Sequence, residues 1–275
     1  TIPYALKRST KVFRDHEPHP DQRLTTAGVL AVSSNTGSIK IGEMLSNDKL
    51  YDYLTKFGIG TKTGSGLPGE SRGILPKVAD WSGTTAPTVA FGQGYSLTAM
   101  QATSVFATIA NDGVRVSPTV IAGKSDSSGN YTPSATRESV RVISADTAAK
   151  MRLMMESVVS SNGTAPSAAI PGYRVAGKTG TAQRIDDTCG CYRGYTASFI
   201  GFAPADNPAY VISVTIQDPK GLHWGGYLGG PVFKKVMSFV LQSKGIAPTG
   251  TTVVPFRLTE KQLIAAKKAA SVKTN

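Results

Sequence analysis

Tyr173-Arg174-Val175-Ala176-Gly177-Lys178-Thr179-Gly180-Thr181 is the stretch whose reading decides the fold. Tyr173 and Val175 alternate with other residues at the period of a strand. The run then closes on a lysine, two threonines and a glycine. On one strand edge these residues offer a fixed positive charge, two hydroxyls and a bare backbone along which a ligand can lie. Such an array suits a ligand carboxylate and a developing oxyanion.

Working outward, the pattern downstream stays extended. Thr196 to Phe202 and Tyr210 to Ile216 are strand candidates, joined by a short link with Pro204 and Pro208, as in an antiparallel hairpin. A last helix is predicted to open at Pro231, as an N1 proline, and to display Val232, Phe233, Val236, Met237 and Val240 up to Gly245. Upstream the period is helical. Thr25 or Thr26 reads as the N-cap of a short buried helix ending at Ser33, and a second runs from Thr36 to Leu45. A third is capped by Asn47 and stopped by Gly58. Gly58 to Gly94 reads as loop, Thr98 caps a helix closed by Asn111-Asp112-Gly113, and Val114 to Ile121 reads as extended. Asp126 to Thr136 reads as a polar loop, and Ser144 caps a helix ending at Gly163. The first two dozen residues, with Pro3, Pro18 and Pro20, read as irregular. Helices, then a hairpin sheet and a closing helix, indicate a mixed α/β domain.

Composition is that of a globular chain of 275 residues, 40% hydrophobic and 17% charged, long enough for a substantial core. The net charge of +12 fits a polyanionic neighbourhood, such as an anionic wall polymer or a lipid surface, as well as generic surface basicity. Nucleic acid is not expected, since no zinc spacing, helical basic region or aromatic-basic repeat accompanies the charge. His16 and His19 flank Pro18, which breaks helical ligand geometry, so surface histidines are the expectation. Cys189-Gly190-Cys191 is too small for structural zinc. A disulfide across one residue is a strained small ring, so free thiols or a redox-sensitive loop are the reading. No run of about 18 apolar residues spans a membrane. Neither a metal nor a cofactor is predicted.

Lys178-Thr179-Gly180 and Ser33-Ser34-Asn35 are two of the three motifs of a penicilloyl-serine site. Each has a decoy, Lys62-Thr63-Gly64 and Ser160-Ser161-Asn162, and context separates them: Lys62 sits between loop glycines and Ser160 at a fraying helix end. The third motif, a Ser-x-x-Lys carrying the attacking hydroxyl, has no match ahead of Ser33. Ser9 stands alone there, with Val12 three places on, and Ser46-Asn47-Asp48-Lys49 lies in the wrong order. For acyl transfer, Ser33 is assigned as proton relay, and Asn35 as partner of a substrate amide and of the absent lysine. Lys178, with the hydroxyls of Thr179 and Thr181, binds a carboxylate. Gly177 and Gly180 let the ligand backbone approach, and the Thr181 N–H is half of an oxyanion hole. Ser34, Thr179 and Gly180 join Lys178 and Thr181 as substrate-binding residues.

From about Leu24 to Thr259 the chain resembles the C-terminal part of a class B, monofunctional penicillin-binding protein transpeptidase domain. Beyond the two motifs the resemblance rests on Phe57-Gly58-Ile59-Gly60 with Leu67-Pro68-Gly69-Glu70, and on Gly92-Gln93-Gly94 followed by Thr98 and Gln101. Ala110-Asn111-Asp112-Gly113, Thr196 to Pro204 and Gly229-Gly230-Pro231-Val232-Phe233 extend it. It implies the serine β-lactamase/penicillin-binding-protein fold, incomplete, with a helical region, the last three antiparallel strands and the C-terminal helix. It implies a D,D-transpeptidase acting on peptidoglycan stem peptides through a serine acyl-enzyme and inhibited by β-lactam antibiotics. The nucleophile is expected in the N-terminal part of the same domain, and this chain alone is expected to be inactive. The resemblance also places the parent on the extracytoplasmic face of the membrane, anchored by an N-terminal helix, with a glycosyltransferase and other wall-synthesis proteins as partners. An inactive or β-lactam-sensing module is the alternative, and a D,D-carboxypeptidase or β-lactamase is a further one. Glu70 is the nearest carboxylate for fast deacylation, but its Leu-Pro-Gly-Glu setting matches a turn. Residues 1–258 are assigned to the domain, and 259–275 to a basic, flexible or helical tail.

Overall fold

The computed structural model describes residues 5–8, 10–135, 137–186 and 188–272, excluding the side chains of 8 and 270–272. Pro3, Ser9, Thr136 and the tail beyond 272 lie outside them. The chain opens with a hairpin, β1 (Ala5–Arg8) and β2 (Lys11–Arg14), which corrects the expectation of an irregular start. Leu6 and Phe13 pair across it and are buried with Ile39, so the two strands close over the first helices.

Helices α1 (Thr26–Ala31), α2 (Asn35–Gly42) and α3 (Asn47–Lys56) follow, each started by a hydroxyl that accepts a backbone N–H: Thr25 from Gly28, Ser34 from Gly37 and Ser46 from Lys49. The glycine-rich stretch read as loop contains a 3-10 turn, Val78–Asp80, and α4 (Thr85–Ala90). Pro87 hid that helix in sequence, yet a proline in a first turn forfeits no helical hydrogen bond. Helix α5 (Ala99–Ala110) begins with a complete capping box between Thr98 and Gln101. Gln101 is 1% exposed, and its amide also donates to the carbonyls of Thr61 and Arg72, stitching the long loop to the helix.

Two small antiparallel hairpins come next. β3 (Val114–Val116) is shorter than the extended run expected. β4 (Gly123–Ser125) pairs with β5 (Tyr131–Pro133), which occupies part of the predicted polar loop, and β6 (Ser139–Arg141) pairs with β3. Helix α6 (Ala145–Val159) leads into the main sheet, β7 (Ala176–Asp186), β8 (Cys191–Ala203) and β9 (Tyr210–Gln217). Its order is β7-β8-β9, antiparallel throughout, so the strand carrying Lys178 is at one edge.

Helix α7 (Gly225–Ser243) starts well before Pro231, which lies inside it rather than at N1. The reason is packing: Gly225, Gly226, Gly229 and Gly230 are buried, and a Cβ at Gly225 would collide with the carbonyls of Ser198 and Gly180. Gly225 and Gly229 press the helix backbone onto β8, and Gly226 and Gly230 press it onto the segment at Thr164 and Ser167. The core lies beneath, where Phe199, Phe233, Met237 and Leu241 meet Val158, Ile170 and Val175. Full burial of one such side chain stabilises by about 1.5–3 kcal/mol. Helix α8 (Glu260–Val272) occupies the tail, and its start is docked. Leu258 is buried against Ala27 and Ala31, Leu24 bridges Thr259, and Arg23 pairs with Glu260 at 2.9 Å. The boundary suggested by composition at 258/259 therefore runs through a contact.

Candidate active site

The decisive geometry is a contact between residues 145 positions apart: Lys178 Nζ donates to Ser33 Oγ at 2.6 Å. Lys178 is brought there by β7, whose register is set by ten cross-strand partners on β8, including Lys178↔Ile200 and Thr181↔Ala197. Ser33 is brought there by the turn between α1 and α2, where its φ of 56° is left-handed. That conformation is uncommon for a residue with a side chain, and it marks a site where geometry overrides local preference. The ammonium also donates to the Thr179 carbonyl at 3.1 Å. Burial pushes the Lys178 amine down to about 8, because the charged form loses hydration that these contacts replace only in part.

The left-handed turn sends consecutive serines in opposite directions. Ser33 faces Lys178, whereas Ser34, 2% exposed, donates to the buried Asp15 carboxylate at 2.8 Å and caps α2. Ser34 was expected to bind substrate; the structure commits its hydroxyl to the cap instead. Asp15 also accepts from the Thr36 N–H and from His19, so the segment after β2 clamps the motif from behind. His19 is raised from its ordinary value, chiefly by its bond to the Pro20 carbonyl and then by Asp15. Asn35 donates to the Arg14 carbonyl at 2.9 Å, which fixes the orientation of its amide.

Along β7 the remaining motif residues are held from below. Thr179 shares a hydrogen bond with Thr164 at 2.9 Å, and the Thr181 hydroxyl accepts the N–H of Gly225 at 3.3 Å. A side chain at Gly180 would meet the Ser198 hydroxyl, and one at Gly177 the Phe199 ring. Both glycines are therefore required by close packing of β7 against β8. One step further along stands an aromatic group that sequence reasoning missed. Tyr195, opposite Gln183, stacks on His223 at 4.1 Å; His223 leans on Trp224 at 4.6 Å, and Trp224 meets His16 at 5.2 Å. The adjacency of His223 and Trp224 just ahead of the Gly225-Gly226 pair was the available signal.

The decoys resolve physically. Lys62-Thr63-Gly64 folds around Glu70, whose carboxylate accepts from the backbone of Thr63 and Gly64 and from the Thr63 hydroxyl; these bonds, the hydroxyl first, hold it below the usual carboxylate range. Glu70 is therefore a loop anchor. Behind β7, Arg174 makes a two-pronged pair with the buried Glu156 at 2.6 and 3.0 Å, locking the strand's entry to α6. Cys189 and Cys191 form a disulfide, contrary to the free thiols expected, with Cα atoms 5.2 Å apart. Placed at a hairpin tip with Gly190 left-handed between them, the two side chains meet on one side. Among the described residues no group of three or more His, Cys, Asp or Glu side chains is arranged to hold a metal.

A strand-borne lysine thus faces a turn serine across the junction of a helical region and an antiparallel sheet. The family model described as "Penicillin binding protein transpeptidase domain" matches residues 2–238, and the chain belongs to that family. The chain is 38% identical over 255 residues to "Penicillin-binding protein PbpB" of Mycobacterium tuberculosis, covering 89% of this chain and 38% of that one. It is 36% identical over 260 residues to "Peptidoglycan D,D-transpeptidase FtsI" of Escherichia coli, covering 92% and 41%. Among solved structures, penicillin-binding protein 3 from Mycobacterium tuberculosis, complexed with ampicillin, superposes with a TM-score of 0.89 at 37% identity, over 94% of this chain and 59% of that one. The chain thus spans about two fifths of the length of these curated relatives. The fold expected from sequence, a mixed α/β penicillin-binding-protein transpeptidase fold, is the fold observed.

Proposed function

We propose that this chain is the part of a peptidoglycan D,D-transpeptidase that binds the substrate carboxylate and relays the proton, the attacking serine being carried by a Ser-x-x-Lys elsewhere in the domain. The observation that carries the reading is the 2.6 Å contact between Lys178 and Ser33. It joins a cation poised for a carboxylate to a hydroxyl able to pass a proton. In the reaction the serine attacks the stem-peptide carbonyl next to the scissile bond. Ser33 hands a proton to the departing amine, the proton descending from the nucleophile through neighbouring amines. The Thr181 N–H stabilises the oxyanion, and one such donor is worth about 3–4 kcal/mol of transition-state stabilisation. Lys178, with Thr179 and Thr181, orients the carboxylate of the stem peptide or of a β-lactam. Asn35 positions the substrate amide and the missing lysine. An acceptor amine from a second stem peptide then resolves the acyl-enzyme, forming the cross-link.

The wider assignments follow from the same reading. The parent acts on the extracytoplasmic face of the membrane, beside a glycosyltransferase that supplies glycan strands. A disulfide is in keeping with an oxidising compartment. Labelling with a fluorescent penicillin tests the proposal. The full-length protein is expected to take up one label, on a peptide other than those of this chain, and this chain alone none. Acylation of a serine within this chain would overturn the reading.

A further inference from the structure

Away from the cleft, the far tip of the β7–β8 hairpin carries the Cys189–Cys191 disulfide, and both cysteines are exposed. This bond contributes little as a staple. The stabilisation from a cross-link grows with the length of chain it closes, and a loop of two cysteines and one glycine is close to the shortest possible. The tip is held without it: Asp186 accepts from the Thr188 N–H at 2.9 Å, the Gly190 N–H reaches the Asp186 carbonyl at 2.9 Å, and Arg193 pairs with the Asp186 carboxylate at 3.3 Å. Beside the bond, the cross-strand pair Ile185 and Tyr192 is 64% and 59% exposed, an apolar platform at the end of the hairpin. The bond is also open to attack from solvent, since both cysteines and the neighbouring Tyr192 are exposed, and access to the attacked sulfur is one of the factors that set the rate of exchange.

We propose that Cys189–Cys191 is a thiol–disulfide exchange site, and that its partner is a dithiol protein that docks on Ile185 and Tyr192. In the reducing direction a partner thiolate attacks one sulfur, and the other leaves as a thiolate that takes a proton from water. The partner's second thiol then attacks the mixed disulfide. Two thiols remain here, the partner carries the disulfide, and two electrons have passed from it. The reverse sequence re-forms the bond. The assignment is independent of the transpeptidase reading, and its test needs no cell-wall activity.

The full-length protein is purified without reductant, equilibrated in graded glutathione buffers, and its free thiols are mass-tagged. Two tags are expected on the peptide that carries Cys189 and Cys191, in buffers that leave the protein folded and with the melting temperature nearly unchanged. A bond that opens only when the protein unfolds would overturn the proposal, as would cysteines that stay reduced in oxidised glutathione. A second arm compares I185S/Y192S with wild type. Reduction by a thioredoxin-type dithiol protein is expected to slow several-fold in the variant, and reduction by glutathione to keep its rate. Equal effects on both reductants, or none on either, would rule out the docking protein.

Discussion

At the scale of the residue, Lys178 governs. The amine sits near 8 in the folded protein and near 10.4 in an unfolded chain. Between those values the unfolded state holds a proton that the folded state lacks, so stability rises with pH across that window, and burial of the cation is a cost below it. Under the proposed function recognition runs the opposite way, since a carboxylate would be held by the charged form. The second-order rate of penicillin acylation of the full-length protein is expected to fall as pH rises through about 8. Lys178→Arg, charged at every accessible pH, is expected to lose that limb; a limb that persists in the variant would assign it to another group. Gly225→Ala is expected to cost about 1–3 kcal/mol by overpacking, measured by urea unfolding, because its methyl would enter the carbonyls of Ser198 and Gly180. The letters announced Lys178 and Ser33 but not the fate of Ser34. Which way a serine points depends on the sign of one φ, and Ser33 adopts a value its side chain disfavours.

At the scale of the element, β7 is where structure and chemistry meet, and its entry is secured by Arg174, which pairs with Glu156 and Asp206. Arg174 is expected to be among the least replaceable residues outside the cleft. Arg174→Met strands the carboxylate of Glu156, 4% exposed, and should cost about 3–5 kcal/mol, read as a lower midpoint in chemical denaturation. Gln101→Ala removes half the capping box and the ties to Thr61 and Arg72, and more than about 2 kcal/mol should be lost. The three strands of the main sheet and most helices were legible because alternation and hydroxyl caps are local signals. Helix α4 was hidden by Pro87, and the start of α7 by four glycines that read as breakers but serve as contact surface. The β1–β2 hairpin escaped because its inward residues are only Leu6 and Phe13, too few to show a period.

At the scale of the whole molecule, the segment that leads into α1 meets the segment that leads into α8. The Leu24–Thr259 bridge and the burial of Leu258 on α1 couple the tail to the helix that leads into Ser33. Truncation after Thr259 removes an exposed ion pair and is expected to change stability by less than about 1 kcal/mol. Truncation before Leu258 uncovers Ala27 and Ala31 and should cost about 2 kcal/mol; calorimetry on the two forms separates the contributions. This coupling was invisible in sequence, because composition marked the tail as basic and said nothing of where it docks. The buried amine of Lys178 has a further consequence, in the language of reactivity. At pH 7 an amine at about 8 is unprotonated in about one molecule in ten, against about one in several thousand for an ordinary lysine. Lys178 is thereby expected to react with an uncharged lysine-seeking electrophile ahead of the chain's exposed lysines, a covalent route into the site that does not pass through the attacking serine.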